Sequence, residues 1–341
     1  MKSSLNREKS YNIAILRTDG LGDMLLTLPM CKALKKINNE FHITLLASSY
    51  CAPILENYPF VDKVIYVDKS LNSLCNIFRK SKFDIVYFPR PKFEEALAAY
   101  VSFVKHRIGT GYRWYSFLFN RKIYEHRKDS IFNEAEYNLH LIEQSFNVKA
   151  DLEPVKIEPS DAGLNSLKKK ISDIYFDIEK EDYIILHPGS KSSAKDWAAS
   201  NFGYLAAEIA KEKRINILIT GIAGEFELCG AVNSICNEAI NLCGKLSLEE
   251  TIALISKSKL FISNSTGVLH IAAALSIPLI GLYPNTPHIS SRRWGPLSDL
   301  ATIISPPKTS DKEYNKEIEY NDDMSQITVQ AVFEEAMKYL K

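Results

Sequence analysis

Residues 261–284, FISNSTGVLHIAAALSIPLIGLYP, read as strand, tight turn, helix and strand in unbroken succession. Leu260–Ser263 is a short apolar run, and Asn264, Ser265, Thr266 and Gly267 carry turn and N-cap chemistry. Val268–Leu275 is small and apolar, so it can lie close on a sheet, and Pro278 opens a second apolar strand, Leu279–Tyr283. A helix that begins at a strand's carboxyl end presents unpaired backbone N–H groups and the positive end of its dipole, which suits phosphate. The plainer reading is that Ser265 or Thr266 only caps a core helix. On this stretch alone the two readings stand side by side.

The same alternation runs through the chain. Strands at Tyr11–Arg17, Phe41–Ala47, Val64–Val67, Asp84–Phe88 and His106–Gly109 alternate with helical periods, one of them continuous over Asp23–Ile37. A second series starts at Tyr183–Leu186 and continues through Ile215–Thr220 and Ala239–Leu242. Ser247 and Glu250 form a capping box before Leu248–Ser256. Alternation at this spacing implies two α/β domains, each with a doubly wound parallel sheet. The expected division is 1–160, 161–324 and a closing helix in 325–341, with ligands in a cleft at the carboxyl ends of the strands.

A length of 341 residues fits two domains. No apolar run approaches a membrane span, and the polar start MKSSLNREKS has no signal-peptide core, so a cytoplasmic protein is expected. The six cysteines form no C-x-x-C and the histidines no H-x-x-x-H, so packing rather than metal binding is expected of them. The net charge of +1 hides an asymmetry. Residues 1–150 hold 22 Lys and Arg against 15 Asp and Glu. Within Lys105–Lys128, seven cations face Glu125 alone and are interleaved with Tyr112, Trp114, Tyr115, Phe117, Phe119 and Tyr124. That composition suits an anionic partner or a membrane surface, or else a solvated loop over a few core aromatics. No nucleic-acid module is recognisable.

Two further stretches carry chemistry. Arg17–Asp23, RTDGLGD, follows the first strand with glycines that allow close backbone approach, yet it is not G-x-G-x-x-G. Asp23 is either a general base facing a ligand or a complement to the helix dipole. His187–Trp197, HPGSKSSAKDW, turns off a strand and offers Ser190, Ser192 and Ser193 with Lys191 and Lys195. Hydroxyls and cations suit a diphosphate, although a polar surface loop has the same composition. The chain has no D-x-D, so a metal bridging a nucleotide diphosphate is not expected.

Together, ILRTDGLGDMLLTLPMCKALKK (15–36), NEAEYNLHLIEQSF (133–146), LHPGSKSSAKDW (186–197), SNSTGVLHIAAALSIPLIGLYP (263–284) and ITVQAVFEEAMKYL (327–340) resemble glycosyltransferase family 9, the ADP-heptose:lipopolysaccharide heptosyltransferases. The resemblance implies a GT-B fold, with acceptor in the first Rossmann-like domain and nucleotide sugar in the second. It implies inverting transfer with no cofactor and no essential metal, from ADP-heptose to a lipopolysaccharide core or related anionic glycolipid. By analogy Asp23 is the base. Ser190, Ser192, Ser193 and Lys195 match the phosphate loop, and Thr266, Gly267, Val268, Leu269 and His270 match the donor helix. Gly22, Arg113 and Arg121 are expected on the acceptor side, and peripheral contact with the inner face of the inner membrane follows from the acceptor. One residue departs from the pattern: Ser265 stands where many members have Asp, which opens the choice of donor sugar. The alternatives are another nucleotide sugar, an epimerase on the same fold, or a non-catalytic sugar-nucleotide-binding protein.

Overall fold

The computed structural model describes residues 4–68, 70–172, 177–190, 195–307 and 320–341. The chain divides into two compact units, 1–155 and 156–341. The expectation had put that division after residue 160. Two Rossmann-like α/β units are observed, as expected of a GT-B fold.

The first unit holds β1 (Asn12–Arg17), β2 (His42–Ala47), β3 (Lys63–Tyr66), β4 (Ile85–Tyr87), β5 (His106–Thr110) and β6 (Arg121–Ile123). They form one parallel sheet in the order β3-β2-β1-β4-β5-β6. The second unit holds β7 (Tyr183–His187), β8 (Asn216–Ile219), β9 (Ile240–Asn241), β10 (Leu260–Asn264), β11 (Leu279–Leu282) and β12 (Ala301–Ile304), in the order β12-β11-β10-β7-β8-β9. The winding is the same in both. Each sheet starts at its centre, winds outward on one side, then returns to wind out on the other. The reversal falls between β1 and β4 in one unit and between β7 and β10 in the other, and crevices at such points bind ligands.

The central strands are buried on both faces, as parallel sheets demand. Every residue of β7 and β10 is buried. That is why YIILH and LFISN are near-continuous apolar runs. Trp197, Phe202, Leu205, Val232 and Ile262 share one core of the second unit with Val332, Ala336 and Leu340 at the end of the chain. The closing helix, Val329–Tyr339, is therefore part of that unit, and Thr328 caps it. The Ser247 capping box before Leu248–Ile255 is present as expected, and all six cysteines are buried and unpaired.

The sequence pattern missed some elements and merged others. The helix expected over Asp23–Ile37 is two helices, Leu21–Leu25 and Pro29–Ile37. Pro29 has no N–H to continue a helix but suits a first helical position, so the axis restarts there. β6 lies within the basic segment, where three residues give no period to read. β12 has only four residues. Among the described residues no helix is long and apolar enough to cross a membrane.

Candidate active site

In the first unit the reversal point is built around a buried arginine. Arg17 ends β1, and its side chain is wholly removed from solvent. Its Nη2 donates to Asp23 Oδ1. Its Nε lies 3.1 Å from Asp19 Oδ2 and its Nη1 3.6 Å from Glu134 Oε1, ion pairs that lack hydrogen-bond alignment. Glu134 opens the helix Glu134–Phe146 and also accepts from Arg127 Nη1 at 2.7 Å. From the same helix Asn138 donates to Leu26 O at 3.1 Å, at the break between the two helices that follow β1. The segment 133–146 thus holds the RTDGLGD turn from behind.

Asp23 itself is about one-fifth exposed, so one carboxylate oxygen is fixed on Arg17 while the residue stays accessible. Beside it, Arg90 Nη1 and Lys92 Nζ approach Asp19 Oδ1 at 3.5 and 3.4 Å from beyond the end of β4. Lys92 Nζ also donates to Thr18 Oγ1 at 3.0 Å. The buried Glu95 accepts from Thr18 Oγ1 at 3.2 Å, and burial raises its carboxyl above the usual range. Arg90 and Lys92 are accessible cations at the carboxyl end of the sheet, and the sequence reading passed over them. The signal was there: PRPK directly follows an apolar strand.

The expected acceptor-side residues divide. Gly22 lies in the helix that carries Asp23. Arg113 is exposed in the turn beyond β5, at the carboxyl end of the sheet. Arg121 begins β6, and its Nε lies 3.5 Å from His106 Nδ1, toward the opposite end.

In the second unit the corresponding crevice is organised by Asn264, which is fully buried. Its Nδ2 donates to Pro188 O at 2.8 Å and Trp197 O at 3.3 Å, and its Oδ1 accepts from Trp197 N at 2.8 Å. One amide thus ties the end of β10 to both ends of the HPGSKSSAKDW loop. Ser192 and Ser193 lie outside the described residues. Ser190 is buried, with its hydroxyl by the Asp196 carboxyl but in no well-formed hydrogen bond. Burial raises the Asp196 carboxyl. Lys195 is mostly exposed, 3.9 Å from Asp322.

The helix Gly267–Ala274 starts at Thr266, whose side chain makes no capping bond. The plainer reading of Thr266 as a side-chain cap is therefore not what the fold uses. Ser265, Thr266, Gly267 and Val268 are half-buried at the helix start. Leu269 turns inward, and Gly281 makes room for it: a Cβ at Gly281 would lie 2.9 Å from Leu269 Cδ2. Leu269 can serve a ligand only through its backbone. His270 is buried and hydrogen-bonds the Trp294 backbone, and burial pulls its pKa down to about 4, so it is neutral near pH 7. Tyr283 donates to Trp294 O at 3.0 Å and is itself hydrogen-bonded by Ser265. The residue that departs from the family pattern is thus engaged with a neighbouring tyrosine.

Glu225 was not anticipated. It accepts from Ile222 N at 2.9 Å, and its carboxyl group lies where a side chain on Gly189 would be: a Cβ there would sit 2.1 Å from it. A long-range approach of this kind leaves no local signal beyond the glycine itself.

The model of glycosyltransferase family 9 (heptosyltransferase) matches residues 72–322. The chain belongs to that family. A Haemophilus influenzae protein assigned only as a glycosyltransferase is 29% identical over 325 residues, spanning 90% of this chain and 92% of its own. Lipopolysaccharide heptosyltransferase 2 of Salmonella typhimurium is 24% identical over 309 residues, 86% of this chain and 87% of its own. The structure of the E. coli ADP-heptose LPS heptosyltransferase II matches with a TM-score of 0.78 at 22% identity, over 96% of this chain and 98% of that one. This family 9 protein is a glycosyltransferase enzyme.

Proposed function

We propose that this family 9 enzyme transfers heptose from ADP-heptose to an anionic glycolipid of the lipopolysaccharide core, with inversion and without a divalent metal, at the cytoplasmic face of the inner membrane. The observation that carries the reading is Asp23, an accessible carboxylate whose orientation is fixed by a buried arginine at a sheet reversal point. The names of two similar proteins, a lipopolysaccharide and an ADP-heptose LPS heptosyltransferase, supply the substrates.

In this reading the first unit binds acceptor and the second binds donor. The acceptor hydroxyl oxygen attacks the anomeric carbon as Asp23 takes its proton. The bond from that carbon to the diphosphate oxygen breaks, and ADP leaves with the bonding electrons. Negative charge grows on the diphosphate. The amides at Gly267 and Val268, the Ser190–Ser193 loop and Lys195 stabilise it, the electrostatic contribution that usually dominates. Arg90, Lys92 and Arg113 attract the acceptor's phosphates. His270, being neutral, holds the Trp294 segment rather than charge.

A second reading rests on Ser265. A serine there, its hydroxyl bonded to Tyr283, offers no carboxylate to hold donor hydroxyls, so a different sugar on the same nucleotide is compatible with the fold. Calorimetric titration with ADP, UDP, GDP and CMP in the presence of a chelator, followed by transfer assays with ADP-heptose, tests both. Tight binding of ADP alone with heptose transfer supports the first reading, and ADP binding without heptose transfer supports the second. A preference for UDP or GDP overturns both.

A further inference from the structure

The helix Phe93–Val101 ends in a turn that glycine normally makes. Val104 N donates to Ala99 O and Phe103 N to Tyr100 O, both at 3.1 Å, the paired bonds of a Schellman motif. The residue at its left-handed position is Phe103, with φ of +57°. A bulky side chain is strained there, while glycine is not. The Phe103 side chain gains nothing from the fold in return, for the residue is 91% exposed. The isolated protein would be better served by another residue on both counts.

Phe103 has company. Arg107 lies 5.2 Å over the Tyr100 ring, and its Nε donates to Leu118 O at 2.7 Å. Asn120 Nδ2 donates to Lys105 O at 2.7 Å. These bonds clamp the turn 116–120 onto the segment 103–107, so Phe117, 63% exposed, stands on the same edge of the sheet as Phe103. Tyr100 is half-exposed beside them. The cations of the two clamped segments and the strand starts that follow them are Lys105, Arg107, Arg121 and Lys122, and the run 96–124 contains no acidic residue.

We infer that this edge, presenting Phe103 and Phe117 among Lys105, Arg107 and Lys122, docks the enzyme on an anionic phospholipid surface. Exposed rings enter the headgroup boundary while neighbouring cations meet lipid phosphates, and the two contributions add. The inference rests on the proposed location at the inner membrane, names the surface that meets it, and is independent of the donor.

Sedimentation of the full chain with vesicles tests it, using phosphatidylcholine alone or with phosphatidylglycerol. The expected result is binding to the anionic vesicles only, reduced at least about tenfold in the Phe103→Ser, Phe117→Ser double variant. Phe103→Gly separates docking from structure: it should weaken vesicle binding while the melting temperature holds or rises. No binding by the wild-type chain, binding unchanged in the double variant, or a fall in melting temperature for Phe103→Gly would overturn the inference. ADP titration reads the proposed reaction separately, so a chain that binds ADP but no vesicle refutes the docking surface alone.

Discussion

Arg17 and Asp23 are six residues apart, and the first, wholly buried, holds one carboxylate oxygen of the second. Removing the arginine's charge takes away the cation that Asp19, Asp23 and Glu134 share. Arg17→Met should therefore cost on the order of 3–5 kcal/mol of stability, measured by urea denaturation, because it strands acidic groups in a desolvated site. Arg17→Lys keeps the charge but loses the fork that orients Asp23. It should lower kcat at least about tenfold with little change in donor affinity. Asp23→Asn should lower kcat by about a hundred- to ten-thousandfold, the usual contribution of a general base. Unchanged turnover in Asp23→Asn would remove Asp23 from the mechanism.

Asn264 supports a prediction about the donor loop. Asn264→Leu leaves the Pro188 and Trp197 carbonyls and the Trp197 N–H without their partner, and each buried polar group so stranded costs about 1–3 kcal/mol. Thermal unfolding should show the loss. ADP affinity should fall with it, since the amide joins the two ends of the loop proposed to hold the diphosphate. A stable variant with unchanged ADP affinity would separate that loop from donor binding.

Gly189 and Glu225 support another. A carboxylate does not bind phosphate but accepts hydrogen bonds from hydroxyls, so Glu225 fits the sugar part of a nucleotide. Gly189→Ala pushes a methyl group onto the far end of the Glu225 side chain, which can swing away. Stability should stay within about 1 kcal/mol of wild type. Donor KM should rise several-fold in Gly189→Ala and in Glu225→Ala, and the double variant should be no worse than the singles, the signature of one shared interaction. Additive effects would show that the glycine matters for another reason.

Much of this architecture could be read from the sequence because parallel strands buried on both faces leave apolar runs, and β1, β2, β7, β10 and β11 all do. β6 could not be read, since it is three residues long and carries two cations. The site divided along the same line. Asp23 and the Thr266–Gly267 helix start sit next to strands in the chain, so local pattern exposes them. The partners that position them do not: Glu134 reaches Arg17 from 117 positions away, and Asn264 grips Pro188 from 76. An arginine closing an apolar strand was itself the available hint, because a charge in that setting must find partners from elsewhere in the fold.

His270 gives the pH dependence. Burial lowers its pKa to about 4, while an unfolded chain has it near the usual ~6.5. Between those values the unfolded state binds the proton and the folded state does not, so stability falls as pH drops through that window and levels off below it. At ~1.4 kcal/mol per pKa unit the loss attributable to His270 is about 3 kcal/mol. Above pH ~6.5 this contribution is fully present. His270→Gln cannot titrate there, so the difference in unfolding free energy between pH 7 and pH 4.5, measured by urea denaturation, should shrink by about 2–3 kcal/mol relative to wild type. Carboxylates elsewhere titrate equally in both proteins and cancel from the comparison. An equal acid slope in the two would mean that the imidazole is protonated in the fold, and it would then stand as a positive charge at the donor helix.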